Sequence, residues 1–312
     1  MFPPVLVLAA VAVGTVPGAA VLASAHWPYR SPAAAILLWQ ALGLSWGLAA
    51  VGALAGLGAV RGRYGVAGGA LSGASQALHD TRLGFNALSA AARLAVLTAS
   101  AALLAMLCWV LVAATAAVIV ARRRHRALLS LLAHGDPKVP GALVVDHPAA
   151  AAYCVPGLRS QIVISAGTLD LLDQAELAAV LAHERAHQAG RHHLLVALAA
   201  LPATAFPLVP AFAYGRDEVA RLAELAADDA AAARSPRLAV AEALLALGSA
   251  PAVAWALGAG GSTAAARVRR LIAAPNPLSR TASTAGGLTV AALSTLPLIL
   301  LAAPACCLFG VW

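Results

Sequence analysis

The chain has 312 residues, of which 61% are hydrophobic and 11% are charged, and its mean hydropathy is +0.83. These values lie far outside the range of soluble globular proteins and predict an integral membrane protein. The net charge of +8 is not accompanied by a basic face with interleaved aromatic residues, so we expect no direct nucleic-acid binding. Attraction to anionic lipid at the inner leaflet explains the excess of basic residues better than nucleic-acid binding does.

Four apolar runs are each long enough to cross a bilayer, for which a helix needs about 20 residues. The first three lie at about 2–25, 33–60 and 94–120, and the last closes the chain at 287–312. The expected fold class is therefore mostly α, a polytopic membrane protein. Residues 61–93 are expected to form an exterior loop between the second and third spans.

A basic cluster directly after the third run sets the expected orientation. Arg122, Arg123, Arg124 and Arg126 follow the apolar residues without a break, and such clusters stay on the cytoplasmic side of a membrane. We therefore expect residues 121–286 to form a cytoplasmic domain of a multi-pass protein of the cell membrane.

The pattern changes after the basic cluster. A helix is predicted to continue to His134 and to end at the Gly-Asp-Pro that follows. Short β-prone runs then lie at 142–146, 152–154 and 161–165, and they predict a small sheet in an α+β domain. The last run, Gln-Ile-Val-Ile-Ser, is either an edge strand that an extended substrate could join by backbone hydrogen bonds or an ordinary interior strand.

A helix predicted from Asp173 to Gly190 carries the sequence His-Glu-Arg-Ala-His at 183–187, an HExxH zinc signature. Positions four apart on a helix share one face, about 6 Å apart along the axis, so His183 and His187 can point both imidazoles at one ion. Glu184 lies on the adjoining face, where its carboxylate can take a proton from an attacking water. The pattern predicts a hydrolase with one Zn²⁺ per chain.

The start and the buried face of this helix are also marked in the sequence. Glu176 lies three residues after Asp173, which is the spacing of a capping box. Leu177, Val180 and Leu181 predict a buried stripe beside the histidines.

A zinc peptidase needs a third protein ligand, and Glu224 is the first of two candidates. Asp228 follows it by one helical turn, so its carboxylate could hold the free ring nitrogen of a ligating histidine and fix the tautomer.

The second candidate is His193. The signature extends to HExxHxxGxxH, with Gly190 and His193 at its last fixed positions, and this is the pattern of a class in which a third histidine binds the metal. That class also needs a methionine turn beneath the site, whereas Met1 and Met106 both lie upstream in apolar runs. His192 and His193 are further candidates for oxyanion stabilisation.

Residues 194–214 form another apolar run that could be mistaken for a span. If it crossed the membrane once, Glu224 and His183 would lie on opposite sides. Three prolines interrupt the run, which predicts two short helical arms folded into an apolar hairpin that either dips into the bilayer or packs on the domain.

Two further helices are predicted at 235–247 and 263–274. The second carries Arg267, Arg269 and Arg270, which we expect to face lipid headgroups.

The motifs together resemble a known family. The segment VLAHERAHQAGRHH, preceded by YCVPG and QIVISAGTLDLL and followed by ELAADDAA, is similar to the BlaR/MecR-type membrane zinc metallopeptidases, the antirepressor peptidases related to the HtpX and CAAX prenyl protease groups. The resemblance covers roughly residues 142–274 and implies a gluzincin-like fold. It implies a zinc ion bound by His183, His187 and Glu224, with Glu184 as catalytic base and Asp228 behind the ligands.

Members of that family with a known role sense β-lactams through an extracellular penicillin-binding domain, and their cytoplasmic protease leads to loss of a DNA-binding repressor. The sequence ends at Trp312, a few residues beyond its last span, so we expect no such sensor domain here.

The expected function is that of a membrane-embedded, zinc-dependent endopeptidase in signal transduction. Its expected partners are the lipid bilayer and a protein substrate that is cytoplasmic or membrane-proximal, with a transcriptional repressor as one candidate. Two alternatives stay open. One is an HtpX-like protease for quality control of membrane proteins, and the other is a non-catalytic signalling scaffold with a structural zinc site.

Overall fold

The computed structural model describes residues 3–59, 65–83, 87–155, 160–249, 260–274, 276 and 278–302. Helices dominate these residues, and the strands form one small sheet. The elements in chain order are α1 (Pro3–Ser24), a 3₁₀ turn (Trp27–Tyr29), α2 (Pro32–Gly58), α3 (Gly65–Leu83), α4 (Ala87–Leu132), β1 (Ala133–Gly135), β2 (Ala142–Val145), β3 (Ala152–Val155), β4 (Gln161–Ser165), α5 (Ala166–Leu171), α6 (Gln174–Ala189), α7 (His192–Ala205), α8 (Pro210–Ala232), α9 (Arg237–Ser249), α10 (Gly260–Ala273) and α11 (Arg280–Ala302).

Among the described residues, four helices are long and apolar enough to cross a membrane: Pro4–Ser24, Pro32–Gly58, Ser89–Leu132 and Arg280–Ala302. Helices of this length and composition indicate a membrane protein. The mostly helical fold class with a small sheet is confirmed, while the side on which each end lies stays a prediction.

The segment between the second and third spans is not simply a loop. Residues Gly65–Leu83 form α3, which packs against α2, α4 and α11. Although this stretch is rich in glycine and has little intrinsic tendency to form a helix, tertiary packing overrides the local preference.

The sheet has the order β1-β2-β4-β3. β4 pairs in parallel with β2 and antiparallel with β3, so the run Gln161–Ser165 is an interior strand and the edge-strand interpretation of it is wrong. The interior position of β4 fits its hydrophobic side chains, because Ile162, Val163 and Ile164 are all nearly fully buried. β3 forms one edge of the sheet.

The sheet lies against α6, which carries the HExxH sequence. Leu177, Val180 and Leu181 are buried together with Val144 and Ile164 in one hydrophobic cluster. The predicted stripe is therefore the face that fixes α6 on the sheet and leaves the histidines on its other side.

The apolar run 194–214 is divided between two helices. α7 ends at Ala205, and α8 begins at Pro210; the two helices pack against each other as a hairpin. α8 then continues to Ala232 and packs against α6, so it carries Glu224 back to the HExxH helix.

Candidate metal centre

The two histidines of α6 face each other across a narrow gap. Their Nε2 atoms lie 3.1 Å apart, as the four-residue spacing predicts. The helix begins as expected, because Asp173 accepts a hydrogen bond from the backbone of Glu176 at 2.8 Å and the Glu176 side chain accepts one from the backbone of Asp173 at 2.9 Å. This capping box fixes the start of the helix two and a half turns before His183.

α8 brings Glu224 to the two histidines. One carboxylate oxygen, Oε2, lies 3.6 Å from Nε2 of His183, and the other, Oε1, lies 3.4 Å from Nε2 of His187. The three potential ligand atoms are all within 4.8 Å of one another, and no other group of this kind is found in the described ranges. Two imidazole nitrogens and one carboxylate are a donor set that zinc uses in catalytic sites with an open fourth position, so the residues fit this metal.

Asp228 lies behind His183. Its side chain is 2% exposed, and Oδ1 is 3.1 Å from Nδ1 of His183. A carboxylate on Nδ1 fixes the imidazole tautomer that leaves Nε2 free to bind a metal. This is the place that the Glu-x-x-x-Asp spacing predicts for it.

Arg267 reaches the same cluster from α10. Its Nε and Nη2 donate to the two oxygens of Asp228, both at 2.7 Å, and its Nη1 is 3.0 Å from Oε2 of Glu224. The expectation that this residue faces lipid headgroups is wrong. A buried carboxylate needs a cationic partner, but the burial of Asp228 is visible only in the structure, so no sequence signal pointed to Arg267.

Arg270, one turn further along α10, also turns inward rather than towards lipid. It holds Asp229 by two hydrogen bonds of 2.6 and 2.7 Å, and its Nε donates to the backbone oxygen of Tyr29 at 2.8 Å. Arg269, between the two inward arginines, is exposed. α10 therefore joins the candidate metal ligands to the short connection between α1 and α2.

His192 contacts the second histidine of the signature. Its Nδ1 is 3.0 Å from Nδ1 of His187, and the residue is only 8% exposed. Gly190 makes room for this ring, because a Cβ at that position would lie 2.4 Å from Nε2 of His192. The glycine of the extended signature thus admits a histidine beside His187.

His193 lies outside the group of candidate metal ligands. Among the described residues, it is not part of the group whose ligand atoms converge, and the charges that act on it are those of Arg122, Arg191 and His192. The geometry therefore brings Glu224, and not His193, to the two histidines.

The pKa values of the two histidines are shifted in opposite directions. Burial alone would lower the pKa of His183, but the carboxylates of Asp228 and Glu224 raise it to about 9. Burial lowers the pKa of His187 to about 4. Burial alone would raise the pKa of Glu224, but His183 and Arg267 lower it to about 2, and the same two partners lower that of Asp228 to about 2.

Glu184 lies in a different environment from these carboxylates. Burial raises the pKa of its carboxyl, and the nearby charge of Glu224 adds to the rise. A backbone hydrogen bond with Cys154 acts in the opposite direction. A carboxylate with a raised pKa beside a metal site is suited to accept and return a proton near neutral pH.

The comparison with protein families bears on the same part of the chain. Residues 119–247 match the sequence model of peptidase family M48. This match supports the M48 peptidase family, and with it a metal-dependent peptidase. Neither curated proteins nor solved structures gave a match. The matched segment runs from the end of α4 into α9, so it contains α6 and Glu224 but not Arg267, which lies outside it on α10.

Proposed function

We propose that this protein is a membrane-embedded zinc endopeptidase. The observation that carries the proposal is the convergence of His183, His187 and Glu224 on one point within the segment that matches the M48 family. These three residues would hold the zinc ion. Bound there, the metal would act as a Lewis acid on the scissile carbonyl and lower the pKa of water.

The other side chains of the site would each have a separate role. Glu184 accepts the proton of the attacking water and passes it to the leaving amine, for which its raised pKa suits it. Asp228 keeps His183 in the tautomer with a free Nε2, and Arg267 balances the charge of Asp228 and Glu224. Arg267 acts through these carboxylates and is a positioning residue.

The substrate would bind as an extended chain along β3. This strand pairs only with β4 among the described strands, and the backbone of Cys154 within it reaches Glu184. A free edge next to the base offers backbone groups to an added strand, which is a common way to bind peptides without strict sequence preference.

The finer function follows the family resemblance of the sequence. The substrate would be a cytoplasmic or membrane-proximal protein, such as a transcriptional repressor in a BlaR/MecR-like pathway. The peptidase domain would lie on the cytoplasmic side, as the basic cluster at Arg122–Arg126 favours.

The decisive experiment compares wild type with Glu184→Gln. The variant should bind zinc in the wild-type amount, measured by elemental analysis of purified protein, and should lose cleavage in quantitative proteomics of cells that carry it. Glu242→Gln, the same chemical change at an exposed position on α9, is the matched control and should behave as wild type. Unchanged processing in Glu184→Gln would refute the peptidase proposal and favour a structural zinc site.

A further inference from the structure

The tip of the α7–α8 hairpin lies beside the middle of a membrane span. Phe206 and Phe212 both pack edge-on against Trp46 of α2, at ring-centre distances of 5.2 and 4.9 Å. Trp46 follows the start of α2 by about 14 residues, or ~21 Å at 1.5 Å per residue. Since α2 is 27 residues long, the tip reaches about halfway along it.

Both arms of the hairpin lead back to the same end of the spans. On α8, Gly215 lies against the ring of Trp39, and further along the guanidinium of Arg221 lies 4.2 Å from the ring centre of Tyr29. Tyr29 belongs to the connection between α1 and α2, so α8 runs from the middle of α2 to its beginning.

The beginning of α7 also lies beside the first part of α2. Near its start, the backbone oxygen of Leu195 accepts a hydrogen bond from Gln40 of α2 at 2.8 Å. α7 also packs against α4, and the pKa of His193 at the beginning of α7 is lowered by burial and then by the charge of Arg122 on α4. From its beginning, α7 runs alongside the spans to the tip of the hairpin.

The surface of the hairpin suits hydrocarbon and not water. Leu208 at the tip is 93% exposed, and Leu198 on α7 is 47% exposed. No charged residue occurs from 194 to 215. Arg216, the first one, lies ~9 Å along α8 from Pro210, so its long side chain can extend to the headgroups, where it pairs with Asp217 at 2.8 Å. Exposed apolar side chains on an uncharged segment beside membrane spans favour the bilayer as the occupant of this surface.

Helix lengths then fix the height of the metal-binding residues. Glu224 lies about 14 residues along α8 from Pro210, and His192 lies about as far along α7 from Ala205, so both are ~20 Å from the tip. The hydrocarbon core of a bilayer is about 30 Å thick, or ~15 Å from its midplane to its boundary. A tip at the midplane therefore puts the cluster just outside the hydrocarbon, among the headgroups.

We propose that α7 and α8 form a re-entrant hairpin whose apolar tip lies near the bilayer midplane, and that this hairpin holds the metal centre at the level of the lipid headgroups. The substrate class follows if the proposed peptidase function holds. A site at this height favours membrane proteins, cleaved at a bond a few residues outside a transmembrane segment, over a soluble repressor.

The depth of the hairpin tip in the membrane can be measured without a peptidase assay. In a background with the natural cysteines replaced, single variants L208C, V112C and L238C place a thiol at the tip, in the α4 span and on the exposed surface of α9, where the native side chains are 93%, 62% and 62% exposed. In membranes opened to a membrane-impermeant maleimide on both faces, L208C and V112C should react about tenfold or more slowly than L238C, because the reactive thiolate does not form in hydrocarbon.

A second readout separates lipid from protein as the cover of the tip. A fluorophore on L208C, in protein reconstituted into phosphatidylcholine vesicles, should be quenched more by lipids with a spin label deep in the acyl chain than by lipids labelled in the headgroup. Maleimide labelling as fast as that of L238C would overturn the proposal. So would slow labelling without quenching by either lipid, which would indicate that a second copy of the chain covers the tip.

The substrate class has its own test. Newly formed protein termini that appear in cells with wild type but not with Glu184→Gln should lie within about ten residues of the end of an apolar segment, since an extended chain spans ~3.3 Å per residue. Termini mainly in soluble proteins would refute the substrate class while the depth result stands. The absence of any such termini would refute the peptidase function and its substrate class together, again without affecting the depth measurement.

Discussion

Arg267 holds both carboxylate oxygens of Asp228, each at 2.7 Å, although the two residues are far apart in the sequence. The same carboxylate lies 3.1 Å from Nδ1 of His183. A chain of charges thus runs from α10 through α8 to the HExxH helix, and the side chain of Asp228 is almost completely buried within it.

Removal of Arg267 should therefore damage both stability and metal binding. Arg267→Met removes the arginine partner of the buried Asp228 and leaves only His183 beside it. Such a loss costs up to about 3–5 kcal/mol in comparable pairs, so the melting temperature should fall and zinc should bind more weakly. Arg267→Lys should lose less, because it keeps the charge but not the planar fork. Thermal unfolding and zinc competition with a chelator measure the two effects.

The neighbouring arginines of α10 provide the controls for this prediction. Arg269→Met changes an exposed residue and should leave both quantities near wild type. Arg270→Met breaks the pair with Asp229 and the bond to Tyr29, so it should lower the melting temperature but keep zinc affinity. Equal losses of zinc affinity in Arg267→Met and Arg270→Met would mean that the bond to Asp228 has no special part in metal binding.

The contact between His192 and His187 predicts an effect on metal binding. Their Nδ1 atoms lie 3.0 Å apart, so His192 can accept the proton of His187 Nδ1 and orient Nε2 towards the metal. Loss of such an orienting partner typically weakens metal binding about 10–100-fold, and His192→Ala should show a loss of this size. His193→Ala is the matched control, since His193 is not among the converging ligand residues. If His193→Ala lost zinc and His192→Ala did not, His193 would be the third ligand instead.

The raised pKa of His183 predicts how zinc binding depends on pH. Since this pKa is about 9 in the metal-free protein, His183 carries a proton at neutral pH that zinc must displace. Zinc affinity should therefore rise about tenfold per pH unit from pH 7 to 9, with release of one proton. Asp228→Asn removes the main partner of the charged form, so the rise should end at a lower pH. Calorimetry in buffers of different ionisation enthalpy counts the released protons.

The stability of the metal-free protein should change in the opposite direction. A histidine whose pKa is higher in the folded than in the unfolded state stabilises the fold when it is charged. The contribution of His183 is therefore complete below about pH 6.5, and it is lost as pH rises through about 9. The melting temperature of zinc-free protein should fall across this window. A melting temperature that rises from pH 7 to 9 without zinc would contradict the assigned partners of His183.

Local patterns account for the features that the sequence predicted best. The capping box at Asp173 and the stripe of Leu177, Val180 and Leu181 depend only on neighbours within two turns of one helix, and the structure contains both. The prolines after Ala200 break an apolar run wherever it lies, so two helices could be expected at 194–214. The three β-prone runs form the strands β2, β3 and β4, but the sequence did not predict the order of these strands in the sheet.

The sequence by itself determined the spacing of His183 and His187 and the positions of the four apolar runs that form the longest apolar helices, because helical periodicity and run length depend on adjacent residues alone. Only the tertiary structure decided that Glu224 rather than His193 lies beside the two histidines, that Arg267 turns to Asp228, and that β4 is an interior strand. These contacts join segments far apart in the chain, and their partners are chosen by the packing of α6, α8 and α10, in which a buried charge must meet its counterion.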